Sequence, residues 1–297
     1  MHKRSATKAI FVASAPTGQT GVTIAPVNTS MNAPPASASQ PLLRTTPDVW
    51  TISAIAIVAY VIADVIHEGL GHGGMCVLTG GHPLALSSVY FQCEHEGRLV
   101  AAAGTLANLA AALVSWIASR FVLRSTRLRY FLWLLMTINL LEFGGYFLFS
   151  GVGNIGDWAA VIQGLQPAWF WRVGLAILGI TSYLVCVWIA LWEMRPFLGA
   201  EWPERLRRAR RFNWVAYVTG GILMCVAGLL NPVGMILVAI SAAAASFGGT
   251  SGLAWMGMLL RGPRIPSSSL QMPPLTRSWA WIIAGGVLAV LFIGILG

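Results

Sequence analysis

The chain has 297 residues, 56% of them hydrophobic and only 10% charged, with a formal net charge of +9. Its mean hydropathy is +0.70. A soluble domain of this size carries roughly 25% charged residues to cover its surface, so the composition excludes one and indicates a polytopic membrane protein. The positive balance marks cytoplasmic loops rather than nucleic-acid binding, and no nucleic-acid partner is expected. Cys76, Cys93, Cys186 and Cys225 form no C-x-x-C pair and no zinc-finger spacing.

Residues 1–47, with "SMNAPPASASQPLLRTTPD", are rich in Ser, Thr, Ala and Pro, and a disordered tail is expected there. The apolar run "AIFVASA" near the start is short for a signal peptide, and no cleavage is expected. Seven apolar segments follow, at about 49–71, 99–122, 129–151, 169–192, 213–230, 232–258 and 279–296. Asn231-Pro232 is a turn signal between the fifth and sixth. The expected fold class is therefore all-α, a polytopic transmembrane helical bundle of about seven spans, with its N-terminus cytoplasmic.

Loop charge sets that orientation. With seven spans, the tail and the links after spans two, four and six lie on one side and carry 17 of the 19 basic residues. The opposite side receives only Arg98 and Arg172. By the positive-inside rule the heavily charged side is cytoplasmic and the C-terminus lies outside. An integral, multi-pass protein of a bacterial cytoplasmic membrane is expected.

Few ionisable residues remain at membrane depth: Asp64, His67, Glu68, His72 and Glu142, with Asp157 just beyond span three. An acid at the bilayer centre costs about 2.5–3.5 kcal/mol on the insertion scale, so such residues mark function. "IHEGLGHGGM" holds three of the six, with Asp64 just before it, and reads H-E-x-x-x-H from His67 to His72. In H-E-x-x-H two imidazoles one helical turn apart share an ion, and the Glu acts as general base. A spacing of five spreads them by about 140° on a regular helix. A π-bulge would bring them together, helped by Gly69, Gly71, Gly73 and Gly74. The alternative is a carboxylate-rich face of Asp64, Glu68 and His72. The bulge is preferred, and Asp64, one turn before His67, could then hold an imidazole in its tautomer.

"IHEGLGHGGMCVLTGGH", followed by "AAAGTLANLAAALVSW", resembles the site-2 protease family of intramembrane zinc metallopeptidases. Ala103-Gly104-Thr105-Leu106-Ala107-Asn108 is similar to that family's A-G-P-x-x-N element, with Thr105 in place of Pro, and "GVGNIGDWAAV" to its Asp-bearing segment. The resemblance spans about residues 60–165. It implies His67, His72 and Asp157 as ligands of one Zn2+ per chain and Glu68 as general base. The substrates implied are membrane proteins or peptides met at the lipid bilayer. Residues 48–165 would then be the metallopeptidase-like core, and 166–297 the C-terminal helices of the same bundle. Asp157 reads equally as a helix N-cap. Asn108 would orient substrate or water, or pack helices. Glu142 would support a ligand or replace Asp157, as could His95 from the loop over 73–98. That loop otherwise reads as solvated, or as closed by a Cys76–Cys93 disulfide.

Two further classes compete. A membrane di-iron oxygenase needs about eight histidines, and this chain has five. A non-catalytic homologue, acting as a scaffold or transporter, would keep the polar residues for packing or ion passage. Sequence does not indicate an oligomeric state.

Overall fold

The structure, a computed structural model, describes residues 46–199, 201–231, 238–260 and 265–297. The tail expected over 1–47 lies outside these residues up to position 45. Helix α1 (Val49–Asp64) begins where Asp48 caps it, its carboxylate accepting from the Thr51 N–H and hydroxyl at 2.9 Å each. Burial alone would raise the Asp48 carboxyl, but the bonds from Thr51 and Arg277 outweigh it and hold it below its ordinary value.

The chain then runs without a break through a π-helical stretch, Val65–Gly73, into α2 (Gly74–Leu78). The first apolar rod thus continues past the expected residue 71, over Val49–Leu78. A hairpin of β1 (Pro83–Leu86) and β2 (Phe91–Cys93) follows, antiparallel, with Leu86 opposite Phe91. A Cys76–Cys93 disulfide ties it to α2. Next come α3 (Arg98–Phe121), α4 (Thr126–Gly153), α5 (Asp157–Ile162), α6 (Ala168–Met194) and α7 (Trp202–Leu230). The described chain ends with a π-helical segment (Val238–Gly249), α8 (Gly252–Trp255) and α9 (Trp279–Leu296).

The fold is helical, as expected, with one small hairpin among the described residues. Among the described residues six helices are long and apolar enough to cross a membrane: Val49–Leu78, Arg98–Phe121, Thr126–Gly153, Ala168–Phe197, Trp202–Leu230 and Trp279–Leu296. These make it an integral membrane protein. The fifth begins before the expected 213, because its Arg-rich start is itself helical. Pro203 occupies the first turn and Glu204 pairs with Arg208 one turn on, at 2.5 Å. The sixth expected segment, 232–258, lies partly outside the described residues, and its described part is helical in pieces.

Helix α4 is the central post, packed by α1, α3 and α6. Trp133, Leu134, Met136, Ile138 and Leu141 are buried along it. Small residues permit this closeness: a Cβ on Gly144 would fall 2.9 Å from the Tyr183 backbone.

Polar contacts sort the helix ends. At one end Arg120 meets Glu193 at 2.5 Å, Arg127 donates to Thr276 at 2.9 Å, Arg277 meets Asp48 at 3.1 Å and Arg205 donates to the Ile265 carbonyl at 3.0 Å. At the other end Arg98 donates to the Gln163 carbonyl at 3.0 Å and Ser88 N–H to the Leu296 carbonyl at 2.8 Å. The first end gathers the starts of α1, α4, α7 and α9. Thr250, between α7 and Ile265, shares a 2.8 Å hydrogen bond with Tyr60 of α1.

Candidate metal centre

The π-helical stretch resolves the five-residue spacing. With its wider turn, residues five apart stack, and His67 Nε2 lies 3.2 Å from His72 Nε2. The preferred bulge is thus present, extended over nine residues. A tertiary contact supports it. Gly71 lies against α3, where an added Cβ would fall 2.6 Å from Gly104 Cα and 2.8 Å from the Ala103 carbonyl. Two backbones can touch so closely only where both residues lack side chains.

Asp157 arrives from the other side. Asn154, at φ 55°, closes α4, and Gly156, at φ 84°, turns the chain back over the bundle, a conformation that favours glycine. Asp157 Oδ2 then lies 3.3 Å from His67 Nε2 and 3.5 Å from His72 Nε2. Asp157 stands in the first turn of α5 but makes no side-chain cap, and Gly156 holds the N-cap position instead. The N-cap reading therefore fails. Burial alone would raise the Asp157 carboxyl, but the two imidazoles hold it below the usual carboxylate range, so it faces them as an anion.

These three atoms fit a metal ion. Bonds of about 2.0–2.1 Å to a tetrahedral ion put neighbouring ligand atoms about 3.3 Å apart, and the observed edges are 3.2, 3.3 and 3.5 Å. His72 Nδ1 donates to the Val100 carbonyl at 2.7 Å, which leaves its Nε2 lone pair facing the triangle. Asp157 Oδ2 is buried without a geometric hydrogen-bond partner. Gly104 forms the cradle's floor. The buried His67, His72 and Asp157 group could hold a metal ion.

Glu68, 8% exposed, lines a cleft of about 1390 Å³ together with His72 and Asp157. Phe91, Val100, Tyr146 and Phe149 give that cleft apolar walls. Behind the triangle, Asn108 Nδ2 donates to Glu142 Oε2 at 2.9 Å and lies 3.2 Å from His67 Nδ1. Glu142 is therefore not part of the ligand triangle. Asp64 makes no hydrogen bond to either imidazole, contrary to its expected role. Its Oδ2 is buried and unpartnered beside a cavity of about 30 Å³ shared with Tyr60, Ser88 and Glu142. The Asp64–Glu68–His72 face does not converge, because the π turns rotate His72 away from that register. His95 is exposed and sits near Glu94, outside the cluster, and Cys93 is in the disulfide.

Sequence reasoning missed three contributors. Tyr146 stacks on the His67 ring with centroids 4.8 Å apart. Trp158 donates to the Thr105 hydroxyl at 2.9 Å, pinning α5 to α3 through the residue that replaces Pro. The Val100 carbonyl orients His72. Aromatic residues are common in membrane spans and a carbonyl has no sequence signal, so only Thr105 offered a clue. No protein-family profile, curated protein or solved structure matches this chain.

Proposed function

We propose that the protein is a membrane-embedded zinc metallopeptidase, similar to the site-2 proteases, that hydrolyses peptide bonds of membrane-associated proteins. The observation that carries this reading is the triangle of His67 Nε2, His72 Nε2 and Asp157 Oδ2, with Glu68 beside it at the base of an apolar cleft. Three protein ligands leave a fourth position open. A zinc ion held there would act as a Lewis acid and make water a nucleophile near neutral pH.

The chain's own residues then have separate tasks. Glu68 takes the proton of the attacking water and returns it to the leaving amine. Asp157 supplies the negative charge that offsets the ion. Phe91, Phe149 and Tyr146 receive apolar side chains of a substrate locally unwound from its helix.

The membrane arrangement that goes with this reading has seven crossings: six long helices, and a seventh made by the pieces that include Val238–Gly249 and α8. The N-terminus is cytoplasmic, the C-terminus is outside, and the centre lies toward the outer face of a bacterial cytoplasmic membrane. The basic residues collected at one end support this orientation. The disulfide beside the centre supports it too, since such bonds persist on oxidising sides.

Elemental analysis of detergent-purified protein beside His72→Ala tests the centre. About one zinc per chain, lost in the variant, is expected. Both proteins metal-free, purified without chelator, would overturn the reading, and two irons would favour an oxygenase. Glu68→Gln should keep the zinc and abolish cleavage of a membrane peptide, and unchanged cleavage would remove Glu68 from its role.

A further inference from the structure

The hydrogen-bond partners around His67 suit a ring whose proton is on Nε2, and they do not suit one whose Nε2 holds a metal. His72 has a clear tautomer, because a backbone carbonyl only accepts and the Val100 oxygen lies 2.7 Å from Nδ1. His67 likewise turns Nε2 to the triangle, so a metal there leaves the proton on Nδ1, which needs an acceptor. The atom it meets is Asn108 Nδ2 at 3.2 Å, one donor against another. Meanwhile Asn108 Oδ1, on a residue 0% exposed, has no partner.

Half a turn of the amide exchanges the two atoms. The oxygen then faces the His67 Nδ1–H. It also comes to the position 2.9 Å from Glu142 Oε2 that the nitrogen held. An amide oxygen and a carboxyl oxygen can meet at that distance only with a proton between them, and the amide oxygen of Asn108 has none to give. Either orientation leaves one amide atom unpaired, so the two contacts decide between them.

Charge agrees. One divalent ion is balanced by ionised Asp157 and Glu68, and no Lys or Arg among the described residues pairs with Glu142. An ionised Glu142 would be a further buried charge with nothing to offset it.

We propose that Asn108 and Glu142 form a positioning pair for the metal centre. In the loaded protein His67 Nδ1–H donates to Asn108 Oδ1, and Glu142, as a neutral carboxylic acid, donates to the same oxygen. The pair holds the ring so that Nε2 points into the triangle. This rests on His67 binding the ion through Nε2. It does not depend on peptide hydrolysis.

The test compares zinc-loaded wild type with Glu142→Gln by infrared difference spectroscopy, and measures zinc affinity by competition with a chelator. Glu142→Gln, a neutral donor of the same shape, should keep wild-type affinity, and the difference spectrum should lose a carboxylic-acid C=O band. Asn108→Leu should weaken zinc binding by about 10–100-fold. Asn108→Asp, whose oxygens accept from both donors, should restore it. Loss of carboxylate bands in Glu142→Gln would overturn the proposal, as would an affinity as poor as that of Asn108→Leu. If Glu142→Gln does not fold, Asn108→Asp decides: binding as weak as the leucine variant's overturns the pair. Wild type that takes up no zinc overturns pair and metal centre together, whereas zinc uptake without peptide cleavage defeats only the peptidase reading.

Discussion

At Gly104 the backbone of α3 lies against both imidazoles of the centre, and a methyl group there would fall 2.5 Å from His72 Nε2 and 2.7 Å from His67 Nε2. Overpacking at such a contact costs about 1–3 kcal/mol of stability, which a bundle of long helices can absorb. The proposed metal site cannot absorb it, because the strain falls on the two imidazole nitrogens that would hold the ion. Gly104→Ala is therefore expected to fold, by its helical circular dichroism, while losing zinc affinity by about tenfold or more. Unchanged zinc affinity would mean the imidazoles have room to retreat. Much of this scale was legible beforehand. His67, Glu68, His72 and Asp157 stood out because ionisable groups at membrane depth are costly. Gly104 stood out only as part of a motif, since the reason for it lies 32 positions away in His72. The failed expectation for Asp64 has the same origin: one turn of ordinary helix before a π stretch does not lead to the same face.

The π-helical stretch spends a residue to bring His67 over His72, and its wider turns hold together because α3 presses glycine against glycine. Leu70, 68% exposed, contributes no ligand and no core contact to this arrangement. Deleting it should return the histidines to a spacing of four on a regular helix and preserve zinc uptake by elemental analysis. Loss of zinc would mean that the extra residue sets more than the register. Spacing alone indicated the departure from regular helix, yet its nine-residue extent depends on a contact with another helix that no local pattern carries. The hairpin is the next element that touches the centre, through Phe91, whose ring lies 6.4 Å from that of His72. The Cys76–Cys93 bridge closes a sequence separation of 17, and a loop of that size is stabilised by about 3 kcal/mol when cross-linked. Cys76→Ser with Cys93→Ser should make the loop over 79–97 sensitive to added protease while α3 and α4 stay intact. Equal resistance in the two proteins would show the hairpin to be held by packing alone.

Across the whole molecule, the decisive number is the parity of crossings. Six would put both chain ends on one side, and seven puts Gly297 opposite the basic end. A reporter enzyme that works only outside the cytoplasm, fused after Gly297, should be active, and activity only from a cytoplasmic reporter would refute seven. Hydropathy carried the helical, membrane-spanning character well, because lipid admits few alternatives to a helix. It failed where the chain is helical in pieces, since a π turn and a short helix leave the same apolar run as one long span. The bridge between Cys76 and Cys93 has a consequence for how such a molecule comes into being. Thiols stay reduced in the cytoplasm, so in the proposed orientation the loop is locked only once it has been carried across the bilayer. The proposed catalytic centre would then be finished only after delivery. A chain stalled during export would keep an unlocked loop beside its histidines, and if the centre is a peptidase, maturation would serve as its own safeguard against premature cutting.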